Sequence, residues 1–207
     1  MNKLALHTCC APCLIGVYDV VLPYFDHISL IYFNPNIAPD QEYDHRRDAC
    51  AQFAVSQAFD FMELDPVDDR KKMQDLLELD KDNLYSKSDR CEYCYRMRLG
   101  RAARWAAENN YDALATTLSI SPWQNIDLIN HVGDEVTAGY PDLIFMKYDF
   151  REHYKDAQSK ARTLGIYRQN YCGCLPSREE AETQRAAARA ARKAAQNKDS
   201  NQSTQSN

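Results

Sequence analysis

The chain has 207 residues, 44% of them hydrophobic and 27% charged, with a formal net charge of -5. That length suits one domain with a sizeable core, alone or with a tail, and 6 glycines with 8 prolines exclude collagen-like or wholly low-complexity sequence. No apolar run approaches the ~18 residues of a membrane span, the apolar stretch of MNKLALHT is too short for a signal peptide, and the acidic balance does not advertise a nucleic-acid binder, so the chain is expected in the cytosol with no membrane partner.

In chain order, KLALHT (3–8) reads as a short apolar strand running straight into Cys9. LIGVYDVVLPYF (14–25) is mostly apolar and helical, and HISLIYFNPN (27–36) is a β-branched, aromatic strand stopped by an Asn-Pro-Asn turn. Residues 40–59 show helical spacing, with Tyr43, Cys50, Phe53 and Ala54 on or near one face. DFMELD (60–65) reads as a third strand, 67–80 and 94–110 as helices, and DALATTLSI (112–120) as a fourth strand. Ser121 then reads as an N-cap with Pro122 at the first helical position. Residues 142–148 are a fifth strand and 151–164 a further helix. Strands separated by helices predict an α/β fold, a mostly parallel sheet with helices on both faces. The segment 178–207 differs: it is polar and Ala/Arg-rich, and its 6 basic and 4 acidic residues make it +2 against -7 for the remainder. The expected organisation is a domain of 1–177 and a tail of 178–207, helical but frayed and then disordered.

The eight cysteines lie at 9, 10, 13, 50, 91, 94, 172 and 174. A reducing compartment disfavours stable disulfides, so metal or redox chemistry is the better reading. In open α/β sheets ligands bind beyond the carboxyl ends of the strands, and Cys9, Cys10 and Cys13 follow the first strand directly. A nucleotide enzyme would place a glycine-rich phosphate loop there, whereas HTCCAPCL has no glycine. Neighbours in a strand point to opposite faces, so Cys9 and Cys10 can face one way only if the chain leaves strand geometry, a turn with which Pro12 is compatible. Cys91-Glu92-Tyr93-Cys94 is a C-x-x-C pair at the start of a predicted helix, where two sulfurs converge on one metal and the helix N-terminus favours thiolates. Cys172-Gly173-Cys174 is a tighter pair whose glycine permits the bend. Cys50, in a helical pattern beside Phe53, reads as core. A zinc site takes about four ligands and a 4Fe–4S cluster four thiolates, so seven gathered cysteines fit two centres better than one.

HTCCAPC (7–13), YFNPNI (32–37), RCEYCYRMRL (90–99), TTLSISPWQN (116–125) and GIYRQNYCGC (165–174) resemble, in the same order, the QueH family of epoxyqueuosine reductases over about residues 3–177. The resemblance implies a fold related to the nucleotide α-hydrolase (Rossmann-like) group, with the cysteine loop replacing a pyrophosphatase loop. It implies a 4Fe–4S cluster beside one additional iron, and reduction of the epoxide of epoxyqueuosine at the tRNA wobble position to the alkene of queuosine, without cobalamin. It further implies Cys9, Cys10, Cys91 and Cys94 as cluster ligands and Cys13, Cys172 and Cys174 as ligands of the lone iron.

That reaction consumes two electrons and two protons. No flavin or nicotinamide motif is evident, so an external electron donor is expected. Tyr171, Tyr93 and His7 are adjacent to ligands and are the candidate proton donors. For the tRNA, unpaired bases are recognised by stacking and by hydrogen bonds to their edges: Trp123 is the candidate platform, and Gln124, Asn125, Asn34 and Asn36 the candidate hydrogen-bonding groups. Each also has a plain structural reading, as a core cap or a turn former. The basic stretches 87–104 and 147–168 flank cysteine motifs and predict one basic rim around the metals, with Arg98 and Arg101 on phosphates. Two rival readings stand beside the reductase. A non-catalytic zinc-binding RNA-binding or adaptor module explains the cysteines and the basic stretches, but not sulfurs at the ligand edge of a sheet. A tRNA sulfur-transfer enzyme would need an ATP-binding glycine loop, absent here.

Overall fold

The computed structural model describes residues 2–79 and 87–204. Strands β1 (Lys3–His7), β2 (His27–Tyr32), β3 (Asp60–Glu63), β4 (Ala113–Thr116) and β5 (Ile144–Phe145) form one all-parallel sheet in the order β3-β2-β1-β4-β5. The register sets Leu6 beside Leu30 on one side and Ala115 on the other. Leu4, Leu6, Leu30 and Leu114 are fully buried, as continuous apolar runs must be in a sheet covered on both faces. From β1 the chain builds outward through β2 and β3, then returns to build β4 and β5 on the other side. The order therefore reverses between β1 and β4, and a crevice opens beyond the carboxyl ends of strands at such a point. Those ends are His7 and Thr116.

Helices α1 (Ala11–Val21) and α2 (Asp40–Ser56) pack together, with α6 (Tyr154–Thr163) against α1; α4 (Lys87–Glu108) packs with α5 (Ile126–Thr137) across the other face, as right-handed crossovers require. α3 (Val67–Leu79) follows β3, and α7 (Leu175–Thr204) ends the described chain. On α2 the buried stripe is Tyr43, Arg46, Cys50, Phe53 and Ala54. Cys50 packs with Ala11, Tyr32, Ile37 and Tyr43, as core. α5 reaches β5 only because residue 133 has no side chain: a Cβ on Gly133 would overlap the Phe145 ring. Gly133→Ala should destabilise the fold by about 1–3 kcal/mol, the usual cost of overpacking, read as a lower urea midpoint at unchanged slope.

Several boundaries differ from expectation, each for a local reason. α1 starts at Ala11, three residues early, because Cys10 serves as its N-cap, its sulfur accepting from the Cys13 amide at 3.4 Å. β4 stops at Thr116, whose hydroxyl accepts from the Leu118 amide at 3.2 Å and turns the chain into a 3-10 helix over Thr117–Ile120. Ser121 does not cap a helix. Its hydroxyl accepts from the Trp123 amide at 3.4 Å in a tight turn, and Asn125 caps α5 instead, accepting from the Leu128 amide at 3.1 Å. The fifth strand is only two residues long. The expected end of the third helix at Asp80 lies outside the described residues. α7 begins at Leu175 and ends at Thr204; residues 205–207 lie outside the description. Among the described residues no helix is long and apolar enough to cross a membrane.

Candidate metal centre

At the carboxyl end of β1 the backbone leaves strand geometry as the two adjacent cysteines require. The Cys9 amide donates to Thr117 Oγ1 at 3.2 Å, and Cys10 is extended, with φ -166° and ψ 152°, before α1 begins. Cys9 Sγ then lies 3.8 Å from Cys10 Sγ and 3.5 Å from Thr117 Oγ1. The sulfurs of Cys9, Cys10 and Cys13 all lie within 4.8 Å of one another. The sulfurs of Cys10 and Cys13 are brought into direct contact by the helix start, where N-cap and third helical residue set their Cα atoms 5.5 Å apart. Metal binding takes both as thiolates. The Gln169 amide donates to Cys10 Sγ at 2.8 Å and reaches Cys13 Sγ at 3.9 Å, while its buried Oε1 has no partner among the described residues.

The other two cysteine pairs, on α4 and in the segment before α7, lie in electrostatic range of each other. Gly173 has φ +149°, and a Cβ there would come 2.9 Å from Asn36 Nδ2, so only glycine fits between the two sulfurs. Its carbonyl accepts from the Ala38 amide at 3.0 Å. Arg46, buried on α2, donates to the carbonyls of Cys172 at 2.8 Å and Tyr171 at 3.2 Å and pairs with Glu42 at 2.7 Å. The Gln124 amide donates to Cys172 Sγ at 3.2 Å, and Tyr95 donates its hydroxyl hydrogen to Gln124 Oε1. α4 already runs from Lys87, so Cys91 and Cys94 lie within the helix rather than at its start. Burial, then the charges of Cys172 and Cys174, push the Cys91 thiol up to about 11. Burial pushes Cys94 up to about 12 and raises Cys174. Metal binding would take them as thiolates. Arg98 joins the groups: it reaches Cys94 Sγ at 3.7 Å and is in electrostatic range of Cys9 and Cys172. Three sulfurs gathered at the end of β1 with the Gln169 amide aimed at them, and four more that act on one another electrostatically, match the donor chemistry of thiolate-bound iron.

The remaining candidates sort by what they touch. His7 is fully buried, 2.8 Å from Thr116 Oγ1 and 3.3 Å from the Phe33 carbonyl, and burial followed by the charge of Arg98 holds its pKa well below the usual range. Tyr171 donates its hydroxyl to the Ala38 carbonyl and stacks under Arg46. Tyr93 is half-buried. Asn34 donates to the Thr8 carbonyl at 3.0 Å and accepts from Arg98 at 2.7 Å, and Asn36 is buried with Oδ1 unpartnered among the described residues. Asn125 is engaged in its cap. Trp123 is 73% exposed, edge-on to Tyr154. Arg98 is only 1% exposed, which corrects its expected place on a phosphate-binding rim. Arg101 does reach the surface, in a groove it shares with Lys72, Arg104, Asp65, Asp68 and Asp69. Elsewhere in the two basic stretches Arg96 pairs with Glu92 and Glu135, Lys147 with Asp134, Arg151 with Asp149 and Lys160 with Asp19. Gln169, Thr117, Tyr95 and Arg46 were not singled out from the sequence, although the first three lie inside the recognised motifs.

A family model described as Epoxyqueuosine reductase QueH matches residues 4–180. An Acinetobacter baylyi protein of that description is 34% identical over 187 residues, 85% of this chain and 80% of its own length. A Thermotoga maritima protein of the same description is 32% identical over 179 residues, 84% of this chain and 90% of its own. Among solved structures, the U34-tRNA thiolase NcsA from Methanococcus maripaludis with its 4Fe-4S cluster superposes with a TM-score of 0.52 at 15% identity. It covers 87% of this chain, which in turn spans 65% of that one, just under two thirds. At that identity the likeness is one of fold.

Proposed function

The chain belongs to the epoxyqueuosine reductase QueH family, and we infer from that membership that it removes the epoxide oxygen of epoxyqueuosine at the tRNA wobble position to give queuosine. One epoxide, two electrons and two protons enter; one alkene and one water leave. The observation that carries this reading onto the present residues is the cluster of Cys9, Cys10 and Cys13 beyond β1, at the sheet's ligand-binding end, with Arg98 in electrostatic range of Cys9, Cys94 and Cys172.

We assign Cys9, Cys10, Cys91 and Cys94 to a 4Fe–4S cluster and Cys13, Cys172 and Cys174 to one additional iron. When bound, such iron supplies single electrons and Lewis acidity toward oxygen. The closeness of Cys13 to Cys9 and Cys10, and the mutual influence of Cys91, Cys94, Cys172 and Cys174, favour a second division: those last four on the cluster and Cys9, Cys10 and Cys13 on the iron. The chain's own part is to aim the amides of Gln169 and Gln124 at the sulfurs and to hold the Cys172–Cys174 bend on Arg46. Electrons come from an external donor. His7 and Tyr171 spend their polar atoms on backbone and Thr116 contacts; we retain Tyr93 as the proton-donor candidate. Exposed Trp123, next in sequence to the Gln124 that touches Cys172, offers a stacking surface for an unpaired anticodon base, and Arg101 a phosphate contact.

The test is anaerobic reconstitution with iron and sulfide, then incubation with epoxyqueuosine-containing tRNA and dithionite. Queuosine should appear in the nucleoside digest, and metal analysis should return iron with sulfide. Zinc alone, with no nucleoside converted, would replace this reading with that of a zinc-stabilised RNA-binding module.

A further inference from the structure

Arg98 is a buried charge without a carboxylate. Its side chain is 1% exposed, and no carboxylate of the described residues lies within ion-pair distance. Its one close partner is the neutral Oδ1 of Asn34, at 2.7 Å; Cys94 Sγ lies at 3.7 Å, and Nε is buried with no partner among the described residues. Moving a guanidinium out of water costs several kcal/mol unless an anion compensates it. Arg46, the other fully buried arginine, shows the normal solution, with Glu42 at 2.7 Å. Around Arg98 the groups able to become anions are sulfurs: Cys94, Cys9 and Cys172, one from each cysteine segment. As metal-bound thiolates they are anionic.

We propose that Arg98 is the built-in counter-charge of the metal–thiolate centre, a positioning residue that makes metal loading stabilise the fold and makes the loaded centre easier to reduce. Adding an electron makes an anionic centre more negative, so a fixed cation beside it favours the reduced form. The inference rests on the metal reading of the site above, but not on iron in particular.

Two variants separate charge from hydrogen bonding. Arg98→Gln keeps an amide donor for Asn34 and removes the charge; Arg98→Lys keeps the charge and loses the fork. In anaerobically loaded protein the reduced-to-oxidised ratio at fixed potential, followed by absorbance and EPR, should fall about tenfold in Arg98→Gln. For a one-electron couple that is a shift of about 59 mV to more negative potential. Arg98→Lys should stay near wild type. The rise in Tm on metal loading should also be smaller in Arg98→Gln than in wild type, a difference that cancels any cost common to the loaded and metal-free variant. An unchanged potential in Arg98→Gln, an equal shift in both variants, or an undiminished loading gain would each overturn the proposal. Should the wild type take up zinc but no iron and sulfide, the reductase reading fails, while the loading gain measured with zinc still decides the role of Arg98.

Discussion

Cys10→Ala and Cys172→Ala should each abolish queuosine formation, a loss well beyond the roughly 10–100-fold typical of removing an outer hydrogen-bonding partner of a metal site. The two variants differ in what they keep. If Cys10 serves the cluster and Cys172 the lone iron, the anaerobically reconstituted Cys172→Ala protein retains the visible iron–sulfur absorbance and Cys10→Ala loses it. If the four sulfurs of α4 and the Cys172–Cys174 bend hold the cluster, the result inverts. The geometry gives this measurement its force. Cys10 sits within 4.8 Å of Cys9 and Cys13, whereas Cys172 acts electrostatically on Cys91 and Cys94. Turnover and absorbance that survive both substitutions would remove the pocket from the account. Loading is done under reducing conditions, because only thiolates ligate.

The parallel sheet was legible because its strands are continuous apolar runs with helical patterns between them, and the turn out of β1 was legible from two adjacent cysteines that cannot share a strand face. The seven cysteines and their three segments were visible as spacing. Arg98 was misplaced because a run of arginines on α4 reads as a solvated face. The helix period says otherwise: Tyr95, Arg98, Leu99, Ala102, Ala103 and Ala106 are the buried stripe of α4, and Arg98 stands on it. Arg46 stands in the same way on the Tyr43–Cys50–Phe53 stripe of α2. A charged residue at a core position of an amphipathic helix was the available signal for both, and it points to a partner supplied from elsewhere in the fold. Gln169 left no such trace. It lies in an irregular segment, where no periodicity says which way a side chain turns. The misread cap at Ser121 has a similar origin, since a serine before a proline serves a tight turn as well as a helix start.

Arg46→Met should cost about 3–5 kcal/mol, the usual consequence of breaking a buried pair and stranding its partner, and should also release the third cysteine pair. Arg46 is 1% exposed and Glu42 11%, and Glu42 accepts from the Tyr167 hydroxyl as well. The same guanidinium holds the carbonyls of Cys172 and Tyr171, so its two losses have different causes. The double variant Glu42→Gln/Arg46→Met separates them. Removing the stranded carboxylate should recover part of the urea-measured stability, but not the anchoring of the bend, so iron bound per chain and queuosine formation should stay low in both variants. Arg46→Lys keeps the charge without the planar fork and should lie nearer wild type in stability than in iron content. Wild-type iron and turnover in Arg46→Met would mean that the backbone bond from Ala38 to Gly173, with the Tyr171 hydroxyl on Ala38, holds the two sulfurs unaided.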